Sequence, residues 1–215
     1  KGRVLANFLL WQQDDAFLMQ LPASLCIPVQ KRLSLYVMRA NVQLSDASNT
    51  LVRIGIAGQN VAALIEEITG LSCNSNLPLQ VIHNEKVTII CLTQNRVELI
   101  TSVENAPTLW EHSSQHANPI GASCWDWLDI QSGIPVILPE TQEEFLPQMI
   151  NLDAIGGVSF KKGCYPGQEI VARTQYLGKL KRRMFLAHIA TAAAVKAGDV
   201  LYSIDMDGQS SGNVI

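Results

Sequence analysis

Leu51-Val52-Arg53-Ile54-Gly55-Ile56-Ala57 alternates apolar side chains with small or charged residues and predicts a β-strand. Gly58 leads into a strongly helical stretch, Gln59 to Thr69, which Gly70 is expected to end. Three more strands are predicted at residues 79–83, 87–93 and 96–101, and Pro107 then opens a helix. Strands and helices in this order are typical of a ferredoxin-like α+β unit, in which helices cover one face of an antiparallel sheet.

The segments on either side extend this pattern. Strand-like runs at residues 3–11 and 16–21 flank a polar turn, and Ser24 is a candidate cap for a helix from Leu25 to Arg39. A short strand is expected at residues 42–44. After Gly178, alternating residues at 184–189 and 200–204 suggest the start of a β-rich region.

Composition limits the classes of protein that need to be considered. The chain has 215 residues, 47% of them hydrophobic and 16% charged, which is enough for one large or two to three small globular domains. The formal net charge of -3 gives no overall electrostatic case for nucleic-acid binding, so any such contact must come from a local patch.

The cysteines and the apolar runs bear on the compartment. The five cysteines are widely spread, with no C-x-x-C spacing, which favours a reducing, cytoplasmic environment over a disulfide framework. No apolar run approaches the roughly 18 to 20 residues of a membrane span, and the first residues do not resemble a signal peptide. We therefore expect no membrane contact.

The residues Lys161-Lys162-Gly163-Cys164-Tyr165-Pro166-Gly167-Gln168-Glu169 form the most distinctive motif. A helix is expected from Gln168 onwards. A thiol at a helix N-terminus beside two lysines is favoured as the thiolate, so Cys164 is a candidate reactive group. The alternative interpretation is a small packed residue within a glycine-rich turn.

Residues 162–169 resemble the K-G-C-(aromatic)-x-G-Q-E signature of the YgfZ family, folate-binding proteins related to the T-protein of the glycine cleavage system. Residues 155–160 and 130–137 are also similar to that family. The resemblance implies an α+β fold of ferredoxin-like units in a T-protein-like arrangement, followed by a partial C-terminal β-barrel. The implied domains are a discontinuous folate-binding T-protein-like domain (1–48 and 120–177), a ferredoxin-like α+β domain (49–119) and the start of the barrel (178–215).

The resemblance also implies a tetrahydrofolate site. Trp125 lies where the family carries a tryptophan implicated in folate binding, and Trp127 is the alternate; without the resemblance, core packing is the favoured explanation of these rings. Gln131 stands where T-protein relatives have a glutamate, so no carboxylate contact is implied there. The candidate functional thiol is Cys164, and the predicted folate-binding residues are Trp125, Trp127, Lys162, Gly163, Tyr165, Gln168 and Glu169.

Three functions follow from this comparison. The first is a folate-binding accessory protein that supports iron–sulfur enzymes, including tRNA-modifying enzymes. The second is a folate-dependent one-carbon transferase; it is disfavoured because the catalytic aspartate of the amine-transfer relatives falls near Ala6 or Asn7, neither of which is a carboxylate. The third is direct tRNA binding through Lys179-Leu180-Lys181-Arg182-Arg183; a site for a folate glutamate tail or phosphate and a solvated strand start are the alternative interpretations of this tract. His112 and His116 have the spacing of helical metal ligands, but exposed polar histidines are the favoured interpretation and no metal site is predicted.

Overall fold

The computed structural model describes residues 2–73, 77, 79–163 and 167–215. The chain divides into two compact units. Unit 1 comprises Lys1–Leu9, Gln20–Ala40 and Asp126–Ile215, and unit 2 comprises Leu10–Met19 and Asn41–Trp125. Helices and antiparallel sheets occur together, which confirms the α+β class. The three-domain boundaries, the T-protein-like arrangement and the barrel stay predictions.

Unit 2 is built on a four-stranded sheet with two helices. The first two strands of the chain, β1 (Leu9–Gln13) and β2 (Ala16–Gln20), form a hairpin. The elements of the sheet and its helices are β3 (Leu51–Ala57), α2 (Val61–Thr69), β4 (Gln80–His83), β5 (Val87–Thr93), β6 (Arg96–Ser102) and α3 (Ala106–His116). The strand order is β3-β6-β5-β4, with every neighbouring pair antiparallel. The four strands and two helices read from residues 51–116 are therefore confirmed, with ends shifted by one or two residues.

The two faces of this sheet differ in chemistry, because successive residues of a strand point to opposite sides. Ile54 and Ile56 of β3 face the apolar core, where they pack with Leu99 and with Ile65 of α2. Gly55 and its register partner Glu98 lie on the other face. The unit thus has one apolar face under the helices and one partly polar face.

Two details of unit 2 concern the end of α2 and a disulfide. Gly70 adopts a left-handed conformation and ends α2, as its position in the sequence predicts. Cys91 of β5 lies in the core, 1% exposed, and forms a disulfide with Cys73. The sequence did not predict this disulfide. The two cysteines are 18 residues apart, and they come together only because β5 lies beside the segment that follows α2.

Unit 1 has a second apolar core, formed by Val4, Leu25, Ile137, Ile150 and Leu152. Its helix α1 (Ala23–Ser34) is shorter than the predicted span to Arg39. The cap assigned to Ser24 is wrong: the helix begins at Ala23, two residues before the predicted start at Leu25, and the carbonyl of Pro22 accepts a bond from the Leu25 N–H at 2.9 Å.

The remaining elements are short. Helix α4 (Ala122–Gln131) carries Trp125 and Trp127, helix α5 (Glu169–Tyr176) follows the motif, and β7 (Val200–Tyr202) pairs with β8 (Ser210–Asn213). The strands expected at 42–44 and 184–189 do not form, since those residues have no neighbouring strand to bond with. Among the helices of the described ranges, none is both long and apolar enough to cross a membrane.

Candidate functional site

A pocket of about 310 Å³ lies in unit 1 beside the motif. Lys162, Gly163 and Gln168 line it, so the structure brings together three of the residues predicted from the motif. Arg3 and Tyr176 also line it and were not predicted. Two further predicted residues, Cys164 and Tyr165, lie outside the described residues.

Short contacts fix the motif side of the pocket. The Lys162 ammonium donates to Gln168 Oε1 at 3.0 Å and lies 3.4 Å from the carbonyl oxygen of Gly163. Glu169 Oε2 accepts a bond of 2.8 Å from the Gly167 N–H, directly before α5. Since Glu169 is not among the lining residues, its role in the structure is to hold the turn rather than to face the pocket.

Helix α5 forms another part of the pocket lining, through Val171, Ala172 and Tyr176. The Gln148 amide, which is 2% exposed, donates to the Val171 carbonyl at 2.8 Å and ties the helix to the core. The rings of Phe160 and Tyr176 meet edge to face, with centroids 6.4 Å apart. An aromatic wall and a lysine therefore share one pocket of ligand size.

Trp125 belongs to unit 2 and is not among the residues lining that pocket. Its ring lies so close to Gly55 that a Cβ atom there would be 2.5 Å from the ring carbons. The guanidinium carbon of Arg96, 5% exposed, lies 4.4 Å from the ring centroid. The indole Nε1 is buried, with no hydrogen-bond partner among the described residues.

Trp127 has a different environment. It is 58% exposed and lies two residues further along α4, which places it about 200° around the helix from Trp125. The two predicted tryptophans therefore do not share a helix face. Trp125 is a packed ring on the sheet of unit 2, whereas Trp127 offers an open aromatic surface.

The polar face beneath Trp125 was missed by the sequence analysis. Glu98, 2% exposed, lies 3.5 Å from the Arg53 guanidinium, and Thr88 donates to Gln13 Oε1 at 2.8 Å. The only available sequence signal was the placement of charged residues inside otherwise apolar strands at Arg53 and Glu98. That pattern usually marks a solvated sheet face, whereas here Glu98 is buried and Arg53 stays exposed.

Asn7, near the position that corresponds to the catalytic aspartate of the amine-transfer relatives, is fully used as a structural link. Its amide NH₂ donates to the Pro135 carbonyl at 2.6 Å, and its carbonyl oxygen accepts from the Ile137 N–H at 2.8 Å. Both functions of the side chain are therefore occupied by backbone.

The basic tract at residues 179–183 is divided in its contacts. Arg183 binds the Asp153 carboxylate through two bonds of 2.7 and 2.8 Å and also donates to Asn151 at 3.1 Å. The hydrogen bonds from Arg183 hold the pKa of Asp153 below its usual value. Arg183 is thus a structural clamp, while Lys179, Lys181 and Arg182 are exposed.

The paired histidines have an ordinary explanation. His116 Nε2 lies 3.6 Å from Glu67 Oε1, which links α3 to α2. Within the described ranges, no group of three or more His, Cys, Asp or Glu side chains is placed to hold a metal ion.

The fold and the pocket together define an α+β protein with a ligand-sized cavity beside a lysine- and glycine-rich motif. No family model matches the chain. It is 29% identical to the tRNA-modifying protein YgfZ of Yersinia enterocolitica over 216 aligned positions, which cover all of this chain and 65% of that relative. It is 32% identical to the tRNA-modifying protein YgfZ of Colwellia psychrerythraea over 202 positions, covering 94% of this chain and 61% of the relative.

Similarity of this extent places the chain in the YgfZ family. The chain spans less than two thirds of the length of these curated relatives.

Proposed function

We propose that the protein is a folate-binding accessory protein that supports iron–sulfur enzymes and, through them, tRNA modification. The names of the relatives connect the family with tRNA modification. The folate and iron–sulfur parts of the proposal come from the motif resemblance at residues 162–169.

The observation that carries the proposal is the composition of the pocket in unit 1. Its volume of about 310 Å³ is at the lower end of the range for small-molecule sites, about 300 to 1,000 Å³, so it suits one end of a folate. The aminobenzoyl ring would pack against Phe160 and Tyr176, and the glutamate carboxylates would face the cations of Lys162 and Arg3. The pterin contact that the resemblance implies, Trp125 or its alternate Trp127, is not among the residues that line this pocket.

The functional thiol in this proposal is Cys164. The motif places it one residue after Gly163, which lines the pocket. Its proposed roles are attack on a folate-bound one-carbon unit, formation of a mixed disulfide, or transient holding of a cluster. An aminomethyltransferase is less well supported, because Asn7 is not a carboxylate and both ends of its amide are bonded to backbone.

The experiment is a calorimetric titration with tetrahydrofolate under anaerobic conditions. Wild type is compared with Lys162→Gln, Cys164→Ser and the control Lys86→Gln, which removes one exposed lysine from unit 2. We expect saturable binding, weakened about tenfold or more by Lys162→Gln, which corresponds to one charge-assisted contact. Binding should be kept in Cys164→Ser and in the control.

Absence of binding in the wild type would overturn the folate premise. Equal weakening by Lys162→Gln and Lys86→Gln would remove the pocket as its site. Full biological activity in Cys164→Ser would exclude every thiol mechanism.

A further inference from the structure

Positive charge is concentrated in one short segment of unit 1. Seven of the sixteen basic residues of the chain, but only one of its nineteen acidic residues, lie between residues 161 and 183. The basic residues are Lys161, Lys162, Arg173, Lys179, Lys181, Arg182 and Arg183. A chain with net charge -3 therefore contains a strongly positive region, and the rest of it is correspondingly acidic.

Contacts within unit 1 bring the three parts of this segment together at the C-terminal end of α5. The ring contact between Phe160 and Tyr176 sets Lys161 beside the last turn of the helix. The tract 179–182 begins directly after the helix, since Gly178 lies against the last turn, where an added Cβ would be 2.9 Å from the Cα of Thr174. We call this surface, formed by Lys161, Arg173, Tyr176 and residues 179–182, the basic end of α5.

The cations of this surface are available for a ligand. Lys179, Lys181 and Arg182 are exposed, and within the described part of the chain they form no ion pair with an acidic side chain. Arg183 is bound to Asp153 and thereby anchors the tract to the body of unit 1. The one acidic residue of the segment, Glu169, begins α5 and so lies about 10 Å away along the helix.

An exposed aromatic ring accompanies the charges. Tyr176 is 68% exposed although one edge of its ring contacts Phe160. Residues 178–199 contain no helix or strand, and the side chains of Lys179, Lys181 and Arg182 within this stretch are exposed. Cations placed around an open aromatic surface are the arrangement by which proteins bind single-stranded nucleic acid, with phosphates on the cations and a base on the ring.

We propose that the basic end of α5 binds an unpaired segment of RNA. The cations of Lys179, Lys181 and Arg182 contact the phosphate backbone, and Tyr176 stacks on a base. The inference does not depend on folate binding: Tyr176 also lines the pocket, but Lys179, Lys181 and Arg182, which supply the phosphate contacts, are not among its lining residues. It gives the protein a direct contact with RNA in addition to its proposed support of iron–sulfur enzymes.

The test is fluorescence anisotropy of the purified chain with a labelled unpaired RNA oligonucleotide, measured between about 50 and 200 mM salt. The test variant carries Lys179→Ala, Lys181→Ala and Arg182→Ala. The control variant carries Lys31→Ala, Arg32→Ala and Arg39→Ala, which remove three exposed cations, two in α1 and one in the segment after it. We expect the first variant alone to weaken binding and to make the slope of log affinity against log salt less steep by about 2. Circular dichroism verifies that both variants are folded.

Tyr176 supplies an independent readout. Tyr176→Leu should weaken binding of the unpaired oligonucleotide about tenfold and leave binding of duplex RNA unaffected, while Tyr176→Phe should bind like the wild type.

Equal effects of the two triple variants would overturn the proposal. Equally tight binding of poly-glutamate would also overturn it, by showing an acidic-protein surface. Tetrahydrofolate binding by the first triple variant, expected to be unchanged, separates failure of this inference from failure of the proposed function.

Discussion

Arg96 lies over the face of Trp125, with its guanidinium carbon 4.4 Å from the ring centroid. Arg96 is buried in β6, and the ring also lies against Gly55 of the neighbouring strand β3. A cation over an indole face in a dry environment is worth about 2 kcal/mol. The strand pair β3–β6 therefore fixes the ring that the family resemblance assigns to folate, and any ligand function of Trp125 depends on that support.

The substitution Gly55→Ala tests this support. The added Cβ would lie 2.5 Å from the ring carbons, so Trp125 must leave its position on the sheet. We expect a loss of about 1–3 kcal/mol in the free energy of unfolding and a red shift of tryptophan fluorescence. Chemical denaturation and emission spectra measure the two effects.

Gly58→Ala is the matched control, because no atom lies within 4 Å of an added Cβ at that position. It should leave the emission spectrum unchanged. A Gly55→Ala protein with the wild-type spectrum and stability would show that the ring does not occupy this position in solution.

The extent of sequence prediction differs between the two faces of the unit 2 sheet. The strand β3 and the core face follow from alternation, because Ile54 and Ile56 need an apolar surface wherever the strand lies. The face carrying Glu98 and Gly55 could not be predicted. Its interpretation depends on the register with β6 and on a tryptophan about 70 residues away in sequence, neither of which leaves a local pattern.

The pocket shows the same division. Lys162, Gly163 and Gln168 were predicted because they are contiguous in the motif. Arg3 and Tyr176 were not, because they reach the pocket through the packing of the N-terminal segment and the last turn of α5. Glu169 bonds the Gly167 N–H and does not line the pocket, and its contact with a ligand stays a prediction.

Asn7→Asp should destabilise the protein instead of restoring an amine-transfer site. The new carboxylate would still accept from the Ile137 N–H but would face the Pro135 carbonyl, which now receives a bond of 2.6 Å from the amide. Loss of that donor and repulsion between the oxygens should cost about 1–3 kcal/mol in the free energy of unfolding. Asn41→Asp, at an exposed loop position, is the control for the added charge. Equal stability of the two variants would refute the structural role of Asn7.

Glu169→Ala should loosen the turn before α5. The carboxylate accepts the Gly167 N–H at 2.8 Å, and it also lies in the first turn of the helix, where negative charge is favourable. We expect a loss of about 0.5–1 kcal/mol in stability and faster hydrogen exchange at the Gly167 amide. Glu169→Gln, which keeps an acceptor, should retain most of the protection. Unchanged exchange in the alanine variant would argue against the bond.

The contact between Asp153 and Arg183 predicts a stability difference that depends on pH. The bonds from Arg183 lower the pKa of Asp153 in the folded state relative to the unfolded value of about 3.9. A carboxyl group with a depressed folded pKa contributes stability above its unfolded pKa, and that contribution is lost as the pH falls through the folded value. Asp153→Asn should therefore be less stable than the wild type near neutral pH, by about 1 kcal/mol for a partly exposed pair, and the difference should shrink below about pH 4. Thermal denaturation of both proteins across that pH range measures the stability difference, with Asp126→Asn as the control for loss of one exposed carboxylate.

A stability difference that stays constant down to pH 2, about two units below the unfolded pKa, would mean that the charge of Asp153 contributes nothing to its contact with Arg183.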